Sequence, residues 1–454
     1  MDGNAADHRH QSPPPLLPPP HAPWEMASLP IPDELLREIF LHLPTPADLV
    51  RASAACVSFR RVVADRSFLR RFRKLHAPPL LGFLSSLSPH SGFEFHPAVP
   101  PHPSASAASA VALAADFSFS FVPAPATSDC WVLRDIRDGR FLLVSAGRGF
   151  LGGEMVVCDP LHRRYILVPP IPDDLAAMVA NPGLSETFLV PRGDGHDDEA
   201  AAEEETSFRV MGMVYCEANI ISFVFSSSTR QWRAAASRSW IDLLDGLLWS
   251  LEERLFCWRW RQYVYGCFYW IPDWEYEMKI LVLDTRSMEF SFADPPSEAK
   301  HASSNDITMI EAGEGKPGML IRGYEYGPFD HIYTIWRNNG GSSSQWQKEK
   351  IISPSLGCEY MGNGSMGKYL VLNHLGNSSL EPGLYMLDIK TLQLERVCAS
   401  IVHGFAYSNY PPSLSSPTIS SDVTSFVFVA KLMRLRNMKN GLAVPEISLA
   451  HGEI

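Results

Sequence analysis

The residues with the strongest chemical potential lie in "FCWRWRQYVYGCFYWIPDWEYE", residues 256–277, which closes on Asp273, Glu275 and Glu277. Two carboxylates held across a glycosidic bond are the working pair of a glycoside hydrolase, but nothing else in the chain supports a sugar site. Trp270 and Trp274 flank the turn-like "IPD" and are the candidate substrate-binding residues, since tryptophans dominate recognition surfaces. "GRGFLGG", Gly147–Gly153, contains GxGxxG, a phosphate cradle when a helix follows it. Here the strand-like "EMVVCD" follows, so the glycines read as a hairpin loop. The eight cysteines, at 56, 130, 158, 216, 257, 267, 358 and 398, form no CxxC pair and no zinc spacing with histidines. No histidine is placed to activate a serine or cysteine. No catalytic, cofactor-binding or metal-ligating residue is assigned.

Composition narrows the partner. A net charge of -11 argues against nucleic acid, whose capture needs basic side chains to neutralise phosphates. The first residues carry Asp2, Asp7, His8 and Arg9 before a proline tract, which does not fit a secretory signal, and no apolar run is long enough to span a membrane. Cysteines without a pairing pattern fit intracellular thiols, placing the protein in the cytoplasm, the nucleus or both. The sequons at Asn363 and Asn377 then carry no meaning. "RRFRK", Arg70 to Lys74, reads as a solvated helix end rather than a nuclear signal.

The positioning elements fall into two textures. Residues 1–27, with "SPPPLLPPPHAP", are a proline-rich tail unable to hold a helix. From Asp33 the apolar residues Leu35, Leu36, Ile39, Phe40 and Leu43 fall at helical spacing, with Pro32 ahead and Pro44 behind. A second helix starts after Pro46, and a third carries Val57, Phe59, Val62 and Val63 with Phe68 and Leu69 just beyond. The result is a helical block over 29–74, near the size at which domains need disulfides, metals or a partner. Its apolar residues exceed what three short helices hide among themselves, so a partner surface is expected.

After Pro78 short strand-like runs alternate with Gly, Pro and Ser. Asp159, Ser226, Asp284 and Asp388 each end an apolar run, and Tyr165, Trp232, Phe290 and Leu394 follow six positions later. Each segment reads as a hairpin opened by a short polar side chain. "TIWRNNGGSSSQW", with Arg337 and Trp346, is a longer fifth copy. Glycines upstream, at 139, 212, 266, 318 and 367, precede or open further strands. Such repeats are the signature of propeller blades. Five blades are visible over 80–435, and about six are expected once residues 80–135 and "TSFVFVAKL" near the C-terminus add strands, the two chain ends sharing one blade. "RGDGHDDEAAAEEE", 192–205, is an acidic surface insertion, and 436–454 is a tail.

"LPIPDELLREIFLHLPTPADLVRASAACVSFRRVVADRSFLRR" resembles an F-box: an opening Leu-Pro, a helix ending in Leu-Pro, then Asp-Leu, Cys, an aromatic and Arg, closing with Asp and Phe. Phe59 stands where the family more often has Trp. The strand-rich part is similar to the F-box-associated, kelch-like propellers common in plant F-box proteins, through "RDGRFLLV", "VVCDPLHRRYILVPP" and "GCFYW", although kelch's double-glycine signature is not cleanly present. The resemblance implies a small all-α F-box followed by an all-β propeller. It also implies docking onto a Skp-type adaptor, and through it onto cullin and a RING subunit, as the non-catalytic substrate-recognition subunit of an SCF-type E3 ubiquitin ligase. Carried over by motif position, the adaptor-binding residues are Pro32, Leu35, Ile39, Leu43, Leu49, Val57 and Phe59. Two alternatives remain at this point: a propeller enzyme or glycan binder whose F-box regulates its turnover, and an F-box protein acting without ubiquitin ligation.

Overall fold

The computed structural model describes residues 31–85, 92–126, 128, 130–146, 151–191, 206–244, 258–272, 278–324, 331–339, 346–352, 358–374 and 380–419. The chain divides into a helical unit and a strand-rich unit.

The helical unit has four helices, not three: α1 (Asp33–Leu41), α2 (Pro46–Ala55), α3 (Val57–Ala64) and α4 (Arg66–Leu75). Phe68 and Leu69 belong to α4, where they are buried with Phe72, as are Leu36 and Phe40 of α1 and Val62 and Val63 of α3. Asp65 starts this extra helix. Its Oδ1 accepts from the Phe68 amide at 2.9 Å, capping an amide without a helical partner. The rings of Phe40 and Phe59 meet edge to face at 5.0 Å, and Phe40 and Phe68 at 6.5 Å, so α1, α3 and α4 share one aromatic core. "RRFRK" lies on α4, and Phe72 within it is fully buried.

The strand-rich unit is a propeller of six blades, five with four strands and one with three. The three-stranded blade contains β1 (Leu80–Ser85), β2 (Glu94–Pro97) and the last strand, β23 (Gly404–Ser408). The second blade runs from β3 (Trp131–Arg137) through β4 (Arg140–Ser145) and β5 (Met155–Asp159) to β6 (Arg164–Val168). The third has β7 (Pro182–Val190), β8 (Arg209–Cys216), β9 (Asn219–Ser226) and β10 (Gln231–Ser239). The fourth has β11 (Trp258–Val264), β12 (Cys267–Pro272), β13 (Ile280–Asp284) and β14 (Glu289–Ala293). The fifth has β15 (Ile307–Glu311), β16 (Pro317–Tyr324), β17 (His331–Asn338) and β18 (Trp346–Ile352). The sixth has β19 (Cys358–Met366), β20 (Tyr369–His374), β21 (Gly383–Asp388) and β22 (Leu394–Cys398). Strands β3, β7, β11, β15, β19 and β23 approach one another around the axis.

The four polar anchors open the hairpins between third and fourth strands, and their chemistry is local. Asp284 Oδ1 accepts from the amides of Arg286 and Ser287, and Asp388 Oδ1 from those of Lys390 and Thr391. Four residues past each anchor, Arg163, Arg230, Met288 and Leu392 take positive φ of 51°, 56°, 57° and 59°. This left-handed residue reverses the chain into the next strand. The fifth copy, Arg337 and Trp346, lies on β17 and β18. Gly139 and Gly266 occupy turns with φ of +73° and +84°, whereas Gly212 lies inside β8.

Apolar residues fill the spaces between blades. Leu142, Val157, Val210 and Phe223 form one cluster between the second and third blades, and Phe188, Met213, Phe268 and Leu283 another between the third and fourth. In the three-stranded blade, α5 (Ala105–Ala114) packs along β1 and β2 with Ala108 and Val111 buried. The outer-strand tryptophans link neighbouring blades: Trp232 Nε1 donates to the Pro169 carbonyl and Trp346 Nε1 to the Asp294 carbonyl, both at 2.8 Å.

Ring closure uses β23, residues 404–408, which pairs antiparallel with β1. The expected closing stretch "TSFVFVAKL" lies outside the described residues, as do the 1–27 and 436–454 tails. Closure requires close backbone approach, since a Cβ on Gly404 of β23 would run into the Leu84 carbonyl of β1. Beyond β23 the chain follows the second blade. Thr418 donates from its amide and hydroxyl to Asp159 Oδ2 at 3.0 and 2.9 Å, Arg140 Nε reaches the Thr418 carbonyl at 3.0 Å, and Ile419 is fully buried. The acidic insertion 192–205 lies outside the described residues; it joins β7 to β8, paired at Val190 and Arg209, and so interrupts a hairpin inside the third blade.

Candidate functional site: an apolar helical face and a charged propeller axis

Helix α1 carries two apolar stripes because both pairs are spaced four apart. Leu36 and Phe40 face the core at 2% and 4% exposure, while Leu35 and Ile39 face outward at 56% and 51%. Val57, at the start of α3, is 59% exposed. Pro32 precedes α1 with φ -57° and is also exposed. Ion pairs steady the framework: Arg61 with Asp33 at 2.9 Å and Arg71 with Glu38 at 2.6 Å. Of the seven carried-over positions, Pro32, Leu35, Ile39 and Val57 are exposed and Leu43 and Phe59 half-buried. Phe59 places its ring edge-on to Phe40, so part of it holds the block together. Leu49 is fully buried and offers no surface to a partner in this conformation, because its place on α2 turns it inward.

In the propeller, Trp270 is corrected as a recognition residue. It is 1% exposed on β12, and its Nε1 donates to Glu186 Oε2 at 2.7 Å from the neighbouring blade. The turn beside it led the sequence reading outward, whereas packing beside Phe188 of the neighbouring blade and Phe268 of its own strand buries the ring. Trp274, Asp273, Glu275 and Glu277 lie outside the described residues, as do Gly147 and its neighbours to 150. Leu151 and Gly152 form a turn and β5 follows, so the strand expected after the glycines is present.

The axis holds a charged group that the sequence did not reveal. Arg261 on β11 pairs with Asp135 of β3 at 3.3 Å and with Glu186 of β7, while its Cζ lies 4.2 Å from the Phe188 ring centroid. Asp135 Oδ2 also accepts from the Leu189 amide at 2.9 Å. Arg137, the last residue of β3, lays its guanidinium over Tyr263 at 4.7 Å and Phe268 at 5.5 Å. These residues come from the second, third and fourth blades. A register shift in β11 between Arg259 and Arg261 breaks the alternation from which orientation is read.

Ser85 Oγ and His96 Nε2 are 2.9 Å apart across β1 and β2, a pair sequence spacing did not signal. Glu94 lies 3.8 Å from the same nitrogen, unlike a triad, where acid and serine use opposite nitrogens. Burial raises the thiols of Cys158, Cys216 and Cys267, and pushes that of Cys398 up to about 12. Among the described residues no three His, Cys, Asp or Glu side chains gather to hold a metal, and no helix is long and apolar enough to cross a membrane.

Comparison with known proteins places the helical unit. Residues 30–74 match the F-box-like family, so the chain carries an F-box-like domain followed by a six-blade propeller. No curated protein matches the chain. Among solved structures, it is similar to the β-propeller domain of the Trilobed protease from Pyrococcus furiosus at 13% identity and TM-score 0.29, over 59% of this chain and 70% of that one. An oligogalacturonate lyase in complex with manganese gives 10% and 0.31, over 57% and 62%. The GH93 α-L-arabinofuranosidase of Fusarium graminearum gives 10% and 0.33, over 61% and 81%. The chain thus spans less than two thirds of the lyase, and at these TM-scores none of the likenesses carries an argument about this protein.

Proposed function

We propose that the protein is the substrate-recognition subunit of an SCF-type ubiquitin ligase. The F-box-like domain docks onto a Skp-type adaptor that leads to cullin and RING subunits, and the propeller, read as F-box-associated and kelch-like, holds a protein target. The chain itself performs no catalysis; it raises the concentration of target lysines beside a catalyst on other subunits, in the cytoplasm or nucleus. One observation carries this reading: Leu35, Ile39 and Val57, all more than half exposed, leave apolar surface uncovered on a domain already built around a closed core. Pro32, Leu43 and Phe59 are proposed to extend this surface.

The test is titration of the full chain with a Skp-type adaptor. Ile39→Asp places a carboxylate in a desolvated interface and should weaken binding by several kcal/mol, on the order of a buried unpaired charge. Ile39 is half exposed, so the variant should keep its fold. Undiminished binding by the folded variant refutes the docking face. Reconstitution with cullin, RING and a ubiquitin-conjugating enzyme then reads ubiquitin transfer to a captured target.

A further inference from the structure

Arg137 is set apart from the cations around it. Arg261 is paired with Asp135 and Glu186, and Arg140 donates to the carbonyls of Thr418 and Ser207, both at 3.0 Å. Arg137 has no carboxylate partner among the described residues, and its Nε is buried without a hydrogen-bond acceptor. Its guanidinium is nonetheless held in place by Tyr263 and Phe268. Stacking engages the faces of the ion and leaves its terminal N–H groups to grip a planar or tetrahedral anion.

The surroundings limit what is gripped. Beside Arg137 lies a cleft of about 10 Å³, lined by Asp138, Arg140, Leu189, Val190, Ser207 and Phe208. That volume admits one oxygen-sized group, the tip of a side chain. Asp138, exposed on the rim in the left-handed conformation at φ 52°, opposes an incoming anion through solvent. A half-buried guanidinium without a carboxylate partner is costly, and a charge-assisted hydrogen bond from its terminal N–H groups to a ligand offsets that cost, the buried Nε staying out of a ligand's reach.

Building on the substrate-receptor reading, we propose that Arg137 is the anchor for an acidic segment of the target protein, gripping one carboxylate or phosphate group at this cleft. The probe is fluorescein-labelled hexaglutamate, followed by fluorescence anisotropy at about 50 mM salt, where charges are weakly screened. The assay uses the full chain and the same chain with 192–205 replaced by a Gly/Ser linker, a form in which the seven acidic residues of that stretch cannot act as competitors. Binding by either form is expected, with roughly tenfold loss in Arg137→Gln, no change in the exposed-strand control Arg134→Gln, and tighter binding in Asp138→Asn. A phosphoserine peptide that binds more tightly than hexaglutamate assigns phosphate, and the reverse order assigns carboxylate. Equal affinity of folded Arg137→Gln and the unmutated chain overturns the proposal. If that variant does not fold, phenylglyoxal labelling of the unmutated chain decides: hexaglutamate should protect Arg137, and unchanged labelling there overturns it. Both measurements omit the adaptor, so their failure is separate from failure of F-box docking.

Discussion

Shortening the chain through its closing strand should unfold the ring, and the size of the effect follows from Tyr407. This residue of β23 is fully buried, with ring centroids of Phe95, Phe117 and Phe141 at 5.8, 5.5 and 5.3 Å. Loss of a buried aromatic costs about 3–5 kcal/mol. The paired β1–β23 ladder adds net hydrogen bonds of about 1 kcal/mol each, for a total of roughly 5–9 kcal/mol. Leu414 and Ile419, 2% and 0% exposed beyond β23, add about 2–5 kcal/mol each. Domains have only about 5–15 kcal/mol of stability. Three chains ending at residues 419, 408 and 403 separate the contributions. The chain ending at 408 should melt lower than that ending at 419, by roughly 1–2 °C per kcal/mol lost, and the chain ending at 403 should show no cooperative β transition. Calorimetry with far-UV circular dichroism reads both. A sharp transition in the shortest chain, within about 2 °C of the longest, would refute closure by β23.

Burial raises the pKa of Asp159, but hydrogen bonds from His162 and Thr418 outweigh it and hold the carboxyl below the ordinary range. A depressed folded-state pKa contributes stability above the unfolded value, lost as pH falls through the folded one. Asp159→Asn should therefore destabilise at pH 7, with the gap to the unmutated protein closing below about pH 4 in pH-dependent melts. Trp232→Phe keeps most of the packing but removes the bond to Pro169, so chemical denaturation should show a loss of about 1 kcal/mol. Replacing 192–205 by a short Gly/Ser linker should leave the melting temperature and adaptor binding nearly unchanged, since closure entropy varies slowly with loop length. A large drop would give the acidic residues a structural role.

What the sequence determined by itself is local. Asp159, Asp284 and Asp388 mark hairpins because a short carboxylate caps amides two or three residues away, Ser226 marks one by bonding the Ser228 hydroxyl instead, and a left-handed residue completes each turn, all within one short segment. The apolar positions of α1 are likewise written in helical spacing, while the choice of Leu35 and Ile39 for the proposed adaptor face came from the F-box resemblance. Burial of Leu49 and Trp270 was not legible, because inward or outward direction there depends on which distant element lies opposite. That Asp135, Glu186, Arg261 and Arg137 come together had no sequence signal, since their meeting requires three blades at one axis and a bulge that breaks strand alternation. The partner of β1 was also decided by the ring: its geometry brings Gly404–Ser408 to that edge, and no local pattern in "HGFAYS" specifies it.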